Sequence, residues 1–226
     1  NLPSSCRGIN LIFFSWPSAV APVPAEILTG QQSARQGRFV LAPLLERLSE
    51  TKDRRICLIG HSYGGRVVLS ALHWTALREA KDSYRRNVVA NKQSRHRVVL
   101  LAPAINHDKL NQQEFSEFDE RYDMALPRAE RLLNVFNQRD CPLTLYSICN
   151  PHPLGRTSFF GEDYLQFDPQ DSRKIQELDV TSLLGMRHAA RFYSSPEIRA
   201  AIQPYVFFCD QPTGADAPTT SSFVRH

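Results

Sequence analysis

The feature that most constrains this chain is a set of apolar runs too continuous for strands with one wet face. Residues 9–14 (INLIFF), 56–59 (ICLI) and 98–101 (VVLL) read as strands covered on both sides. Residues 132–136 (LLNVF) form a more mixed fourth run, and 143–148 (LTLYSI) a fifth possibility. Between the first two, residues 39–48 place Leu41, Leu44, Leu45 and Leu48 at helical spacing, with Pro43 marking a first turn or a kink. Residues 66–77 are apolar almost all round and read as a helix buried between sheet and neighbours. Strands alternating with helices predict an α/β fold, a mostly parallel sheet with helices on both faces.

Further along, residues 150–175 are rich in Pro, Gly, Asp and Phe and read as a long surface excursion. Its aromatics Phe159, Phe160, Tyr164 and Phe167 are candidate lid residues. Residues 178–181 form a short strand-like stretch. Ser195, Pro196 and Glu197 supply a cap, a first-turn proline and an acidic first turn, so a helix is expected over 196–202. Residues 211–226 are polar and expected to be loose. The division that follows is one domain over 1–208 and a flexible tail over 209–226.

Size and composition agree with that reading. A chain of 226 residues, 42% of them hydrophobic, is one domain by default. At this length it buries roughly 70% of its extended surface, which makes a full core possible without staples. No stretch reaches the ~18 uninterrupted apolar residues of a membrane span. Lys and Arg exceed Asp and Glu by 27 to 23, a mild excess. Lys81, Arg85, Arg86, Lys92, Arg95 and Arg97 share one segment, but Asp82 interrupts it and Tyr84 alone is aromatic, so it reads as a solvated connection and not as a nucleic-acid patch. Five cysteines, an odd number, do not make a disulfide framework. Cys57 reads as a buried structural thiol, and Cys141 with Cys149 is a candidate pair. No Cys/His spacing suggests zinc, so no metal or organic cofactor is expected. Cysteine usage leaves the compartment undecided, with a cytoplasmic one slightly favoured over secretion.

The chemical signal is Gly60-His61-Ser62-Tyr63-Gly64-Gly65. Alone, G-x-S-x-G is weak. Here RRICLI before it is strand-like and GRVVLSAL after it helix-like, the strand–turn–helix setting in which a serine is held up at the C-terminal edge of a sheet. The Tyr63 N–H would then point where an oxyanion forms, aided by the positive end of the following helix. His61 is expected to point elsewhere.

From residue 9 to 202 the chain resembles the α/β-hydrolases, and within them an uncharacterised esterase-like group with a F-[ST]-W-P-S strand, here Phe14-Ser15-Trp16-Pro17-Ser18. The likeness includes QSARQGRFVLAPLLERL, GHSYGG, VVLLAPAI, NVFNQRD and HAARFYSSPEI. It implies a serine nucleophile, an acid and a histidine in that chain order, and matching segments gives Ser62, Asp140 after NVFNQR, and His188. Asp108, Asp163, Asp168 and Asp171 are competitors for the acid and His152 for the base. Trp16 and Phe14 line either an acyl pocket or, more simply, the packing beneath the elbow. Such proteins take a second oxyanion donor from a loop that would precede Ile9. Only NLPSSCRG stands there, so the chain is expected to lack its N-terminal strands and the natural protein to extend further in that direction. The implied activity is hydrolysis of a carboxylic ester or related acyl bond on a small-molecule substrate. Acyl transfer, thioester or amide cleavage on the same residues, and a non-catalytic binding module, are the alternatives.

Overall fold

The computed structural model describes residues 9–15, 24–51, 54–86, 96–110, 121–147, 152–159, 169–188, 194–208 and 223–224. In chain order the elements are α1 (Pro24–Gln36), a π-helical turn (Gly37–Leu41), α2 (Ala42–Ser49), β1 (Ile56–His61), α3 (Tyr63–Arg86), β2 (His96–Leu101) and a 3-10 turn (His107–Leu110). They continue with α4 (Ala125–Arg128), β3 (Ala129–Phe136), α5 (Cys141–Tyr146), α6 (Pro169–Ser172), β4 (Ile175–Asp179), α7 (Thr181–Leu184), α8 (Pro196–Phe207) and β5 (Phe223–Val224).

The strands lie in the order β1-β2-β3-β4-β5. The first four are mutually parallel and β5 runs antiparallel to β4. This is the α/β fold expected from the apolar runs. Parallel neighbours cannot be joined by tight hairpins, so each connection crosses a face and carries helix. Every residue of β2 is buried. Successive side chains of a strand point to opposite faces, and β2 shows both being used. Val98 and Leu100 join Leu69 and Leu72 of α3 in one core, whereas Val99 and Leu101 join Leu178, Ile198 and Tyr205 in the other.

The buried α3 packs against α1, the π-helical turn, α2 and α4. Its buried Ser70 hydroxyl donates to the Ala34 carbonyl at 2.8 Å, which satisfies that polar group. Between α3 and α2, Arg78 bonds both carboxylate oxygens of Glu46. On the opposite face α8 packs on β1 and β2, begun by a Ser195 cap that accepts from the Ile198 amide. It runs to Phe207, beyond the expected 202, ending where Phe208 turns left-handed. Among the described residues, no helix is long and apolar enough to cross a membrane.

Several expectations are corrected. Residues 9–14 form no strand: among the described residues nothing pairs with β1 on the side away from β2, and a run without ladder partners has no reason to be a strand. Leu11 is 74% exposed and Phe13 86%, although Phe14 packs against the core, as the simpler of its two readings had it. The run at 143–148, a possible fifth strand, is helical through Tyr146: Asp140 caps α5 ahead of Pro142 in the first turn. Cys141 is a free thiol, and Cys149 lies outside the described residues. Arg97 is no part of a solvated connection: it is buried in β2, bonded to Glu130 and to the Pro204 carbonyl, with its guanidinium over the Phe208 ring. Phe159 is fully buried and cannot serve as a lid residue; Phe160, Tyr164 and Phe167 lie outside the described residues. Within the segment read as loose, Phe223–Val224 pairs with β4. Cys57 is half-buried, and desolvation pushes its thiol up to about 12, which leaves it inert at neutral pH.

His96, at the start of β2, is a buried imidazole lowered to about 4, first by desolvation and then by the charge of Arg128. Unfolded, it titrates near ~6.5. Between these values the unfolded chain binds the proton that the fold refuses, so stability falls as pH drops from about 6.5 to 4. Denaturant melts across that window should lose roughly 2–3 kcal/mol through this group, and His96→Phe should flatten the slope; an unchanged slope would assign the acid sensitivity elsewhere.

Candidate active site

β1 ends at His61 and α3 begins at Tyr63, which leaves Ser62 alone to reverse the chain. Its φ is +53°, a left-handed conformation that a non-glycine residue adopts only when its surroundings hold it there. Three backbone bonds do so. The Ser62 amide donates to Leu101 O at 2.9 Å, while Ser62 O accepts from the Gly65 and Ala104 amides at 3.0 and 3.1 Å. The bend is therefore stapled to the end of the neighbouring strand. Room for it comes from glycine: a Cβ at Gly60 would sit 2.6 Å from Gly64 O and 2.8 Å from Gly65 Cα. Tyr63 follows as the first residue of a 24-residue helix, whose free amides and dipole favour negative charge at that end.

β3 is parallel to β1, so the loop after it leaves from the same sheet edge, where ligands of such sheets bind. Asp140 stands in this loop and is fully buried. One carboxylate oxygen caps α5 by accepting from the Leu143 amide at 3.0 Å. The other lies 2.6 Å from Nδ1 of His188. A carboxylate only accepts, so Nδ1 carries the hydrogen of this bond, and in a neutral ring Nε2 keeps its lone pair.

His188 follows β4, again at the same edge, after α7 and a left-handed Gly185 with φ +57°. Its side chain is 16% exposed. Its ring centroid lies 4.9 Å from that of His61, tilted by 49°. Thus His61, expected to point elsewhere, turns toward His188, and the imidazole stands against the residue that immediately precedes Ser62. Burial and then the charge of His188 lower His61 to about 4, so at neutral pH it packs as an uncharged ring. Tyr63 meets Tyr146 edge to face at 6.0 Å, and the Tyr146 hydroxyl accepts from the buried Arg66 at 2.7 Å, tying α5 to the start of α3.

Of the competing residues, Asp171, Asp108 and His152 are described. Asp171 pairs with Lys174 at 2.7 Å just before β4, at the opposite sheet edge. Asp108 lies in the 3-10 turn after β2. His152 packs its ring against His107 at 5.2 Å, and its carbonyl lies 3.0 Å from His107 Nδ1. Asp163, Asp168, Trp16 and residues 1–8 lie outside the described residues. Among the described residues, no three His, Cys, Asp or Glu side chains converge as metal ligands.

Sequence reasoning passed over Asn137, within the quoted NVFNQRD. Its amide nitrogen donates to the carbonyls of Gly185 at 2.8 Å and Arg187 at 3.0 Å, while its oxygen accepts from the Arg139 amide at 3.1 Å. A single Asn among many carries no local signal of such a role.

Because the Gly60 contact is with backbone, nothing can swing aside. Gly60→Ala should cost about 1–3 kcal/mol of overpacking, read as a melting temperature lowered by about 2–12 °C; a variant as stable as the parent would show that the turn tolerates a side chain.

Residues 4–164 match the family model described as "Alpha/beta hydrolase of unknown function (DUF900)". No curated protein and no solved structure matches the chain. The family match spans well over half of the residues, and its fold is the one described above. The chain belongs to this family of α/β-hydrolases.

Proposed function

We propose that the protein is a serine hydrolase that cleaves a carboxylic ester or related acyl bond of a small molecule, with Ser62 as nucleophile, His188 as base and Asp140 as its orienting acid. The observation that carries this reading is the 2.6 Å contact between His188 Nδ1 and Asp140 Oδ2, made beside the elbow. A serine hydroxyl is a weak nucleophile at neutral pH and needs a base to take its proton. An imidazole whose Nδ1–H is held by a buried carboxylate presents Nε2 in the correct tautomer and is stabilised once protonated.

In this mechanism Ser62 Oγ adds to the acyl carbon as its proton passes to His188 Nε2. The negative charge that develops on the carbonyl oxygen is met by the Tyr63 amide at the N-terminus of α3. Collapse expels the alcohol, which takes the proton from His188, and leaves an acyl group on Ser62. Water then attacks with the same base, and the acid product departs. Each stage needs a group that donates and accepts near neutral pH, and an imidazole is the side chain suited to both. No step calls for a metal or an organic cofactor.

A fluorophosphonate probe should label Ser62, and Ser62→Ala should lose both the label and turnover of a short-chain p-nitrophenyl ester. Adduct on another residue, or equal turnover by the two proteins, would overturn the assignment. Because His61 is neutral above about pH 4, it adds no second ionisation next to the base. The acid limb of log(kcat/KM) should therefore have unit slope; a slope of two would show that both imidazoles titrate.

A further inference from the structure

The acid and the base of the proposed site sit on separate loops, 137–140 after β3 and 185–188 after α7, and the Asn137 side chain bonds to both. We propose that Asn137 is a positioning residue that sets the distance between Asp140 and His188, an inference that rests on the serine-hydrolase reading for its kinetic consequences but not for its geometry. The carboxamide uses each polar atom. Both donated bonds go to the loop that carries His188, one to Gly185 O and one to Arg187 O, the carbonyl next to the histidine. The accepted bond comes from Arg139 N, next to the acid. The backbone joins in: Asp140 N–H donates to Asn137 O at 3.1 Å, and Asn137 N–H donates to Gly155 O at 2.8 Å.

Two features make this more than a filled hydrogen-bond quota. Asn137 is fully buried, so water is a poor substitute for any of its bonds. Moreover, the histidine loop passes through the left-handed Gly185, a residue with no Cβ to restrict its backbone, and the Asn137 amide grips the chain at Gly185 itself and two residues later. The neighbouring Gln138 binds ahead of this loop instead, its N–H donating to Thr181 Oγ1 at 2.9 Å and its Nε2 to Asp179 Oδ2 at 3.0 Å. Cys141 N–H reaches Met186 O only at 3.4 Å. Among the described residues, Asn137 supplies bonds of 2.8 and 3.0 Å to the stretch that leads into His188, where Gly185 N–H also donates to Thr181 O at 3.0 Å. A misplacement of about 1 Å in a reacting constellation can cost roughly 10²-fold in rate.

A second asparagine provides an internal control. Asn134 of β3 is likewise fully buried, and its Nδ2 also donates twice, to Leu154 O and Glu177 Oε1, both at 3.2 Å. Neither partner belongs to the histidine loop. Asn134→Ala should thus lower the melting temperature while sparing the site. Asn137→Ala and Asn137→Ser, the latter leaving room for water to reach the carbonyls, should lower kcat by roughly 10²-fold with KM little changed. In the proton NMR spectrum the far-downfield His188 Nδ1–H signal, assigned by its loss in His188→Ala, should broaden away in both Asn137 variants and persist in Asn134→Ala. Retention of the signal and of kcat in either Asn137 variant would overturn the proposal, as would equal loss of both in Asn134→Ala. The NMR readout needs no turnover, so a protein inactive on esters could still show the clamp, whereas failure of the serine-hydrolase reading would appear in Ser62→Ala.

Discussion

The hydrogen bond from the Ser62 amide to the Leu101 carbonyl is the constraint from which the arrangement of the sheet edge follows. It takes the residue that leaves β1 and locks it to the last residue of the strand beside it. A left-handed backbone at a serine is unfavourable by itself and persists because the neighbouring structure over-determines it. Here the over-determination is supplied by strand pairing, since His61 lies opposite Leu101 in the parallel register. Slipping that register by one residue would move the bond and reverse which side chains of β2 face α3. The buried sheet and the bend are thus parts of one decision.

Around the bend, several buried polar groups are held by specific partners. Asp140 places one oxygen on the α5 amide and the other on His188, so a carboxylate without exposure to water still meets two donors. Arg97 is accommodated similarly, between Glu130, a helix carbonyl and an aromatic face. Glu177 of β4 accepts from the Asn134 side chain, the Phe159 amide and the Ser158 hydroxyl. That last cluster anchors the segment after residue 151 against the sheet, and it explains why Phe159 is core. Burying such groups is costly unless each is bonded, and the gain is fixed geometry more than net stability.

Local chemistry made several parts of the fold legible. The runs ICLI, VVLL and LLNVF became strands because residues apolar on both faces need cover on both sides, and helical spacing around Leu41 and Leu45 identified the first layer that supplies it. The bend at Ser62 was readable because glycine is required where strand and helix backbones nearly touch. The run at 9–14 misled, since apolar continuity shows that a segment wants cover and not that a ladder partner stands beside it. The run at 143–148 misled for a different reason: a capping aspartate and a first-turn proline outweigh a short, largely apolar run.

What the amino-acid order decided alone was therefore the type of each strongly patterned element and the presentation of one serine at a sharp turn. Which groups meet around that serine was decided by the tertiary structure. Asp140 and His188 are 48 residues apart and come together because parallel strands deliver successive loops to one edge. The same holds for the His61 ring against His188, and for Asn137 across two loops. Hydrogen bonds between distant loops depend on where the sheet brings their backbones, and no local pattern of residues encodes that distance.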